Sequence, residues 1–503
     1  MANSPRTASR VRGWWQSAPL ILPLIYLAAM LLYFPFRERF EFDQDEGGEV
    51  MKALLVARGY PLYSEVWSDQ PPVLTYLLAA TFRVLGPDVD AGRVVVLLLS
   101  TGLLAAAGQI LQLTWGVWHA LAGEVLIFLL PFFTTLSVSA MIGHPAIAFA
   151  MFSLLALTIW HQRGGDWWLF LSAAALGVSV LTKLFTGFLA PVFVLGIFLD
   201  SRARQGGSIT GRDRLRPAFH WSLTFTALVI AAVLFVIGPA NVPELLNTHL
   251  EARQVRTYIS QSNALPISWY LRDAWPVLLL AGVGCLFTVL GRRWTSLYPI
   301  AWASLAYLLL SFHAPVWYHH QHLITIPAAM LAGIASGEGF RLVPQIIRTR
   351  AFLSVRAGLA ALALAGFGAS LIVRGPLTLP DFDRPPVFAT GAAHAPWAEQ
   401  VFLTKMGNHA RETHWVITNL PMYAFRVGLV TPPALAFISE KRLATGELTE
   451  EQIIAAIREY RPEQVLVGRR DFLKIKQVLQ ADYRLLYERG RRQLYILKDL
   501  KAQ

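Results

Sequence analysis

The residues best suited to chemistry fall in one stretch, directly after the first apolar segment. From Phe42 to Gly86 the chain reads FDQDEGGEVMKALLVARGYPLYSEVWSDQPPVLTYLLAATFRVLG. It opens with Asp43, Asp45, Glu46 and Glu49, then runs through an amphipathic Val50–Ala57 closed by Gly59-Tyr60-Pro61. Trp67-Ser68-Asp69-Gln70-Pro71-Pro72 and a second short apolar run follow. A carboxylate held just above a bilayer can take a proton from an attacking group. Asp45 and Glu46 are therefore the leading candidates for a base, with Asp43 a spare carboxylate beside them. The same residues also suit a solvated helix start, where carboxylates favour the N-terminal dipole.

Other polar residues cluster at the ends of apolar runs. Lys183 follows Gly177-Val178-Ser179-Val180-Leu181-Thr182; a lysine there either snorkels to the interface or faces an anion. His249, Arg253 and Arg256 are spaced four and three apart, so one helical face presents all three. Arginine matches phosphate geometry and keeps its charge at low dielectric, although attraction to lipid headgroups accounts for the same pattern. Arg93 is a weaker anion ligand, and His144-Pro145 opens an apolar run. His313, His319, His320 and His322 crowd one loop with Trp317 and Tyr318. His319 and His320 are adjacent and cannot share one helical face, and that loop holds no cysteine or carboxylate. Hydrogen bonds to substrate and aromatic anchoring fit it better than a metal centre.

These residues are positioned by a membrane scaffold. The 503-residue chain is 55% apolar and only 15% charged, against about 25% charged in soluble domains. Apolar runs of span length recur from Ala18 to Val373. The net charge of +12 is no sign of nucleic acid, because the basic residues gather in short loops between apolar runs. Cys285 is the single cysteine, so no intrachain disulfide forms. Arg-Glu-Arg-Phe after Phe36 offers no small-residue cleavage site, so Ala18–Phe36 is expected to stay as an anchor.

Parity of the basic loops sets the expected topology. Arg6, Arg10 and Arg12 place the N-terminus in the cytoplasm, and Arg202, Arg204, Arg212, Arg214 and Arg216 place their loop on the same side. That holds only if Pro71–Gly86 does not cross. The run has 16 residues, begins with two prolines and contains Arg83, whereas a span needs roughly 20. It is read as a re-entrant or interfacial helix within an external loop, leaving about eleven spans in residues 1–373. Residues 374–503 are expected to form a small, soluble, external and non-catalytic α/β domain. Its strands are Val416–Thr418 and Gln464–Val467. Its helix, Thr449–Tyr460, is capped by Thr449 with Gln452, and a hairpin turns across Glu488–Arg492.

The first loop also carries a resemblance. Asp-Glu-Gly, Gly-Tyr-Pro-Leu-Tyr and Pro-Pro-Val-Leu-Thr-Tyr-Leu ending in Leu-Gly resemble the first external loop of the GT-C glycosyltransferases. The likeness is to the protein O-mannosyltransferases and the lipid A aminoarabinose transferases, and the Gly-x-x-x-Leu-Thr-Lys pattern before Leu184 resembles theirs too. The resemblance implies a mainly α, polytopic fold and transfer of a sugar, with inversion, from a polyprenyl phosphate to a protein, lipid or glycan. It implies that Asp45 and Glu46 supply the base, that Lys183, Arg253, Arg256 and Arg93 hold the donor phosphate, and that His144, His249 and His322 contact substrate. Such relatives often carry an acidic residue at the position of His144, which weakens any divalent-metal site here. Some also have a lysine where this chain has Gln70. The competing reading is a transporter or flippase of lipid-linked glycans, which would keep its ionisable residues near the bilayer midplane and often show repeated halves.

Overall fold

The computed structural model describes residues 17–199, 211–243, 245, 265–291, 296–349, 354–378, 397–468 and 472–500. His249, Arg253 and Arg256 lie outside the described residues. Among those described, four helices are long and apolar enough to cross a membrane: Val89–Thr114, Gly143–Arg163, Leu215–Ile237 and Tyr318–Thr349. Shorter apolar helices pack around them, and the chain is a multi-pass membrane protein.

The elements follow one another as α1 (Ala18–Leu32), α2 (Gln44–Ala57), α3 (Val73–Leu85), α4 (Val89–Thr114), α5 (Val117–Phe128) and α6 (Phe133–Leu136). Next are α7 (Gly143–Arg163), α8 (Asp166–Val180), α9 (Leu189–Leu199) and α10 (Gly211–Ala232). Past residues 246–264 the bundle continues with α11 (Ile267–Arg272), α12 (Trp275–Leu290), α13 (Leu297–Ser311), α14 (His322–Thr349) and α15 (Val355–Thr378). Helix α14 is the axis, buried along most of its length. Small residues let α5 press on it: a Cβ placed on Gly333 would stand 2.5 Å from the Gly123 Cα. Such close approach favours association where no water drives helices together.

The apolar run Leu121–Val138 is not one helix. It breaks at Pro131 and Phe132, the latter at φ 62°, because proline removes a backbone donor and disfavours helix in the residue before it. Pro71–Gly86 forms the 13-residue α3. At about 1.5 Å per residue it is too short to cross. It packs beside α2, and Arg83 donates to the carbonyls of Val56 (2.8 Å) and Ala57 (3.3 Å) at the end of α2.

The C-terminal segment folds as α16 (Trp397–Asn408), β1 (Val416–Thr418), α17 (Pro421–Arg426), α18 (Glu440–Thr445), α19 (Glu450–Tyr460), β2 (Gln464–Val467), α20 (Leu473–Asp482), β3 (Tyr483–Arg489) and β4 (Arg492–Leu497). The sheet order is β1-β2-β4-β3, with β1 parallel to β2 and the rest antiparallel. Thr449 and Gln452 form the expected capping box, and the hairpin turns at Gly490, whose φ of 59° suits glycine.

This domain shares a core with the first loop. Val50, Leu54, Leu74 and Phe82 from α2 and α3 cluster with Phe402, Met422, Tyr423 and Phe425. Gly47 and Gly48 make the approach possible: a Cβ on Gly47 would stand 2.9 Å from the Met422 nitrogen, and one on Gly48 2.8 Å from the Phe437 ring. Arg426 donates to the carbonyls of Phe40 and Arg39, and Arg58 to that of Gly428.

Candidate active site

Asp43 sets the start of α2. Its Oδ1 accepts from the Asp45 N–H at 3.1 Å, and Asp45 and Glu46 fill the first turn. The two neighbours then diverge, because successive positions on a helix are about 100° apart.

Glu46 turns inward and is fully buried. Arg93 grips it in a bidentate pair, both contacts at 2.9 Å. Arg93 also donates to the carbonyls of Phe36 (2.7 Å) and Arg39 (2.9 Å), while the Ala140 and Phe42 N–H groups each reach a Glu46 oxygen at 3.0 Å. Burial pushes the Glu46 carboxyl up, but the Arg93 guanidinium and these hydrogen bonds outweigh it and hold it below the usual range. Glu46 and Arg93, expected as base and phosphate ligand, are thus committed to each other. They tie α2 to the start of α4, and neither faces an open surface.

Asp45 turns outward and is solvent-accessible, yet enough protein surrounds it for desolvation to act. Desolvation first, then the nearby charges of Asp43, Glu49 and Asp69, push its carboxyl up to about 7, against the pull of Lys183. Lys183 follows α8 in a tight turn, its N–H on the Ser179 carbonyl at 2.9 Å. The Val73 N–H bonds the Leu181 carbonyl at 3.1 Å, so α3 and this turn are joined. Desolvation brings the Lys183 ammonium down to about 8, opposed by Asp45 and Glu49 and aided by Lys441.

Other groups complete the cluster. Lys52 pairs with Glu49 at 2.8 Å, and the second Glu49 oxygen is buried without a hydrogen-bond partner. Tyr318 donates to Asp43 Oδ2 at 3.2 Å, bringing the histidine-rich loop to the same end of the bundle. Lys441, from α18, is ion-paired with Asp69.

His144 and His322 form a separate buried chain. His322 Nε2 lies 2.8 Å from the Pro131 carbonyl, which can only accept. Its Nδ1 in the neutral ring must therefore accept from His144 Nε2 (2.8 Å), leaving His144 Nδ1 to accept from Ser100 (3.0 Å). All four ring nitrogens are used within the protein, so these rings fix the break after α5 against α7 and α14 rather than offering donors to a substrate. Among the described residues no group of three His, Cys, Asp or Glu side chains converges to hold a metal ion.

A model of the dolichyl-phosphate-mannose-protein mannosyltransferase family matches residues 69–236. The fold matches ArnT from Cupriavidus metallidurans bound to undecaprenyl phosphate, with a TM-score of 0.61 at 13% identity over 95% of this chain and 98% of that one. The chain has the fold of these membrane proteins. The fold also matches the oligosaccharyltransferase AglB from Archaeoglobus fulgidus, in complex with an inhibitory peptide and a dolichol-phosphate. There the TM-score is 0.57 at 10% identity, over 92% of this chain and 70% of that one. No curated protein sequence matches this chain.

The sequence singled out Asp45 and Lys183, and the structure brings them within electrostatic reach of each other. It had no signal for Lys441. A lysine in an exposed-looking Ser-Glu-Lys-Arg segment of a soluble domain is indistinguishable from any solvated surface residue until the domain docks.

Proposed function

We propose that this protein is a membrane glycosyltransferase that moves a sugar from a polyprenyl-phosphate donor to a protein, lipid or glycan acceptor on the external face of the membrane, with inversion at the anomeric carbon. The observation that carries the reading is Asp45: an accessible carboxylate poised near neutral pH and opposed by Lys183. The acceptor's nucleophile attacks the anomeric carbon while Asp45 takes its proton. The bond from that carbon to the phosphate oxygen breaks, and polyprenyl phosphate leaves. Its growing charge is met by Lys183, which at about 8 is still largely protonated at neutral pH. A base with a pKa near the working pH combines availability with driving force. The Glu46–Arg93 pair acts one step back, holding the first turn of α2 so that Asp45 faces outward.

The test is transfer by purified protein, supplied with a panel of radiolabelled polyprenyl-phosphate sugars and a membrane extract as acceptor source. Turnover of at least one donor that Asp45→Asn abolishes supports the reading. No turnover of any donor, with directional movement of a lipid-linked glycan in proteoliposomes instead, overturns it in favour of transport.

A further inference from the structure

Apart from Glu46, which points away into Arg93, three carboxylates bear on Asp45: Asp43, Glu49 and Asp69. Each has a partner of its own. Asp43 caps α2 and accepts the Tyr318 hydroxyl. Glu49 is held by Lys52 from the same helix. Asp69 is held by Lys441, which comes from the C-terminal domain, 372 positions along the chain.

Lys441 is not a stray surface contact. Asp69 is buried, and the Lys441 side chain is only 17% exposed. The next residue, Arg442, lies over the Trp67 ring, its guanidinium carbon 3.9 Å from the centroid. Arg442 also donates to the carbonyls of Ala434 (3.2 Å) and Phe437 (3.1 Å) and pairs with Glu447 at 3.2 Å. Ser439 caps α18 through the Arg442 N–H, and the Trp67 N–H reaches the Pro433 carbonyl at 3.4 Å. The short helix is therefore fastened to Trp67-Ser68-Asp69, with Lys441 set over Asp69.

We propose that Lys441 is a positioning residue of the active site: by pairing with Asp69 it screens that charge from Asp45, so the C-terminal domain is a working part of the site. The inference rests on Asp45 being the base. It replaces the expectation of a non-catalytic appendage. Removing Lys441 leaves Asp69 uncompensated, which disfavours a second negative charge at Asp45 and raises its pKa. Removing Asp69 acts in the opposite direction. Lys183, which Lys441 also repels, gains little charge on its removal, because at neutral pH it is already mostly protonated. Lys52 and Tyr318 keep Glu49 and Asp43 as they are, and His319, near Lys183, is untouched by either change.

The experiment is an infrared titration of the Asp45 carboxyl in the full chain in nanodiscs, with Asp45→Asn as the subtracted reference, alongside the pH profile of donor turnover. Lys441→Gln is expected to move the titration up by about one pH unit, and Asp69→Asn to move it down. The double variant returns it close to wild type, and Lys441→Arg holds it there. Should Lys441→Gln fail to fold, Asp69→Asn still reports the sign. An unmoved titration with weakened turnover makes Lys441 merely structural and overturns the proposal. So does a raised donor KM in Lys441→Gln and the double variant alike, which would make Lys441 a donor ligand. The titration needs no turnover. A shift in a protein that transfers no sugar therefore sinks the functional reading alone, and transfer without a shift sinks this inference alone.

Discussion

In the proposed mechanism the pH dependence of transfer follows from two opposed groups. There Asp45 must be ionised and Lys183 protonated, with values of about 7 and about 8. Asp45 is raised, so the competent form is lost as pH falls. Lys183 is lowered, so it is lost as pH rises. Treating the two as independent, the competent fraction peaks near pH 7.5 at about 0.6 and falls about six-fold by pH 6 and by pH 9. Because the groups are coupled, the two limbs belong to the pair rather than to either residue. Asp45→Asn keeps the size and removes the base, and general-base assistance contributes about 10²–10⁴-fold. The variant should lose that much turnover, and its residual rate should lose the acid limb. Lys183→Met should retain the acid limb and lose the alkaline one. The assay is initial-rate transfer from pH 5.5 to 9.5 with saturating donor, alongside binding of a non-reactive donor analogue. If Asp45→Asn keeps an acid limb at the wild-type position, another group is the base, and Asp43→Asn is the next variant to measure.

Other consequences are independent of the chemistry. Arg93→Met strips the buried Glu46 of its partner and should cost about 3–5 kcal/mol, read as a lower thermal midpoint in detergent, with Glu46→Leu/Arg93→Met recovering part of it. Gly48→Ala sets a methyl against the Phe437 ring and should destabilise by about 1–3 kcal/mol; an unchanged midpoint would mean that the C-terminal domain is not docked as described. A cysteine at Ser64, an exposed loop position, in a Cys285→Ser background, should react with an impermeant maleimide on intact cells. Labelling only after permeabilisation would reverse the orientation.

Much of the scaffold was legible from the chain alone, because lipid imposes a local rule: a span must be long, apolar and hydrogen-bonded within itself. The failure of Pro71–Gly86 to reach span length, the Thr449–Gln452 cap and the hairpin about Gly490 are likewise decided by neighbours in sequence. The start of the helix at Asp43 was also legible, since carboxylates favour a helix N-terminus. Which of two adjacent carboxylates stays exposed was not. Asp45 and Glu46 have nearly the same local sequence, and only the arrival of Arg93, 47 positions away, turns one of them inward. His144 and His322 looked like substrate ligands because a histidine shows its free nitrogens in sequence and its partners only in space. Gly47 looked like part of a motif, and with Gly48 it proved to be a docking surface for Met422 and Phe437. The pairing of Asp69 with Lys441 is the extreme case. An ion pair across 372 positions has no periodicity or spacing to betray it, and it exists only because the shared apolar core brings the C-terminal domain down onto the loop.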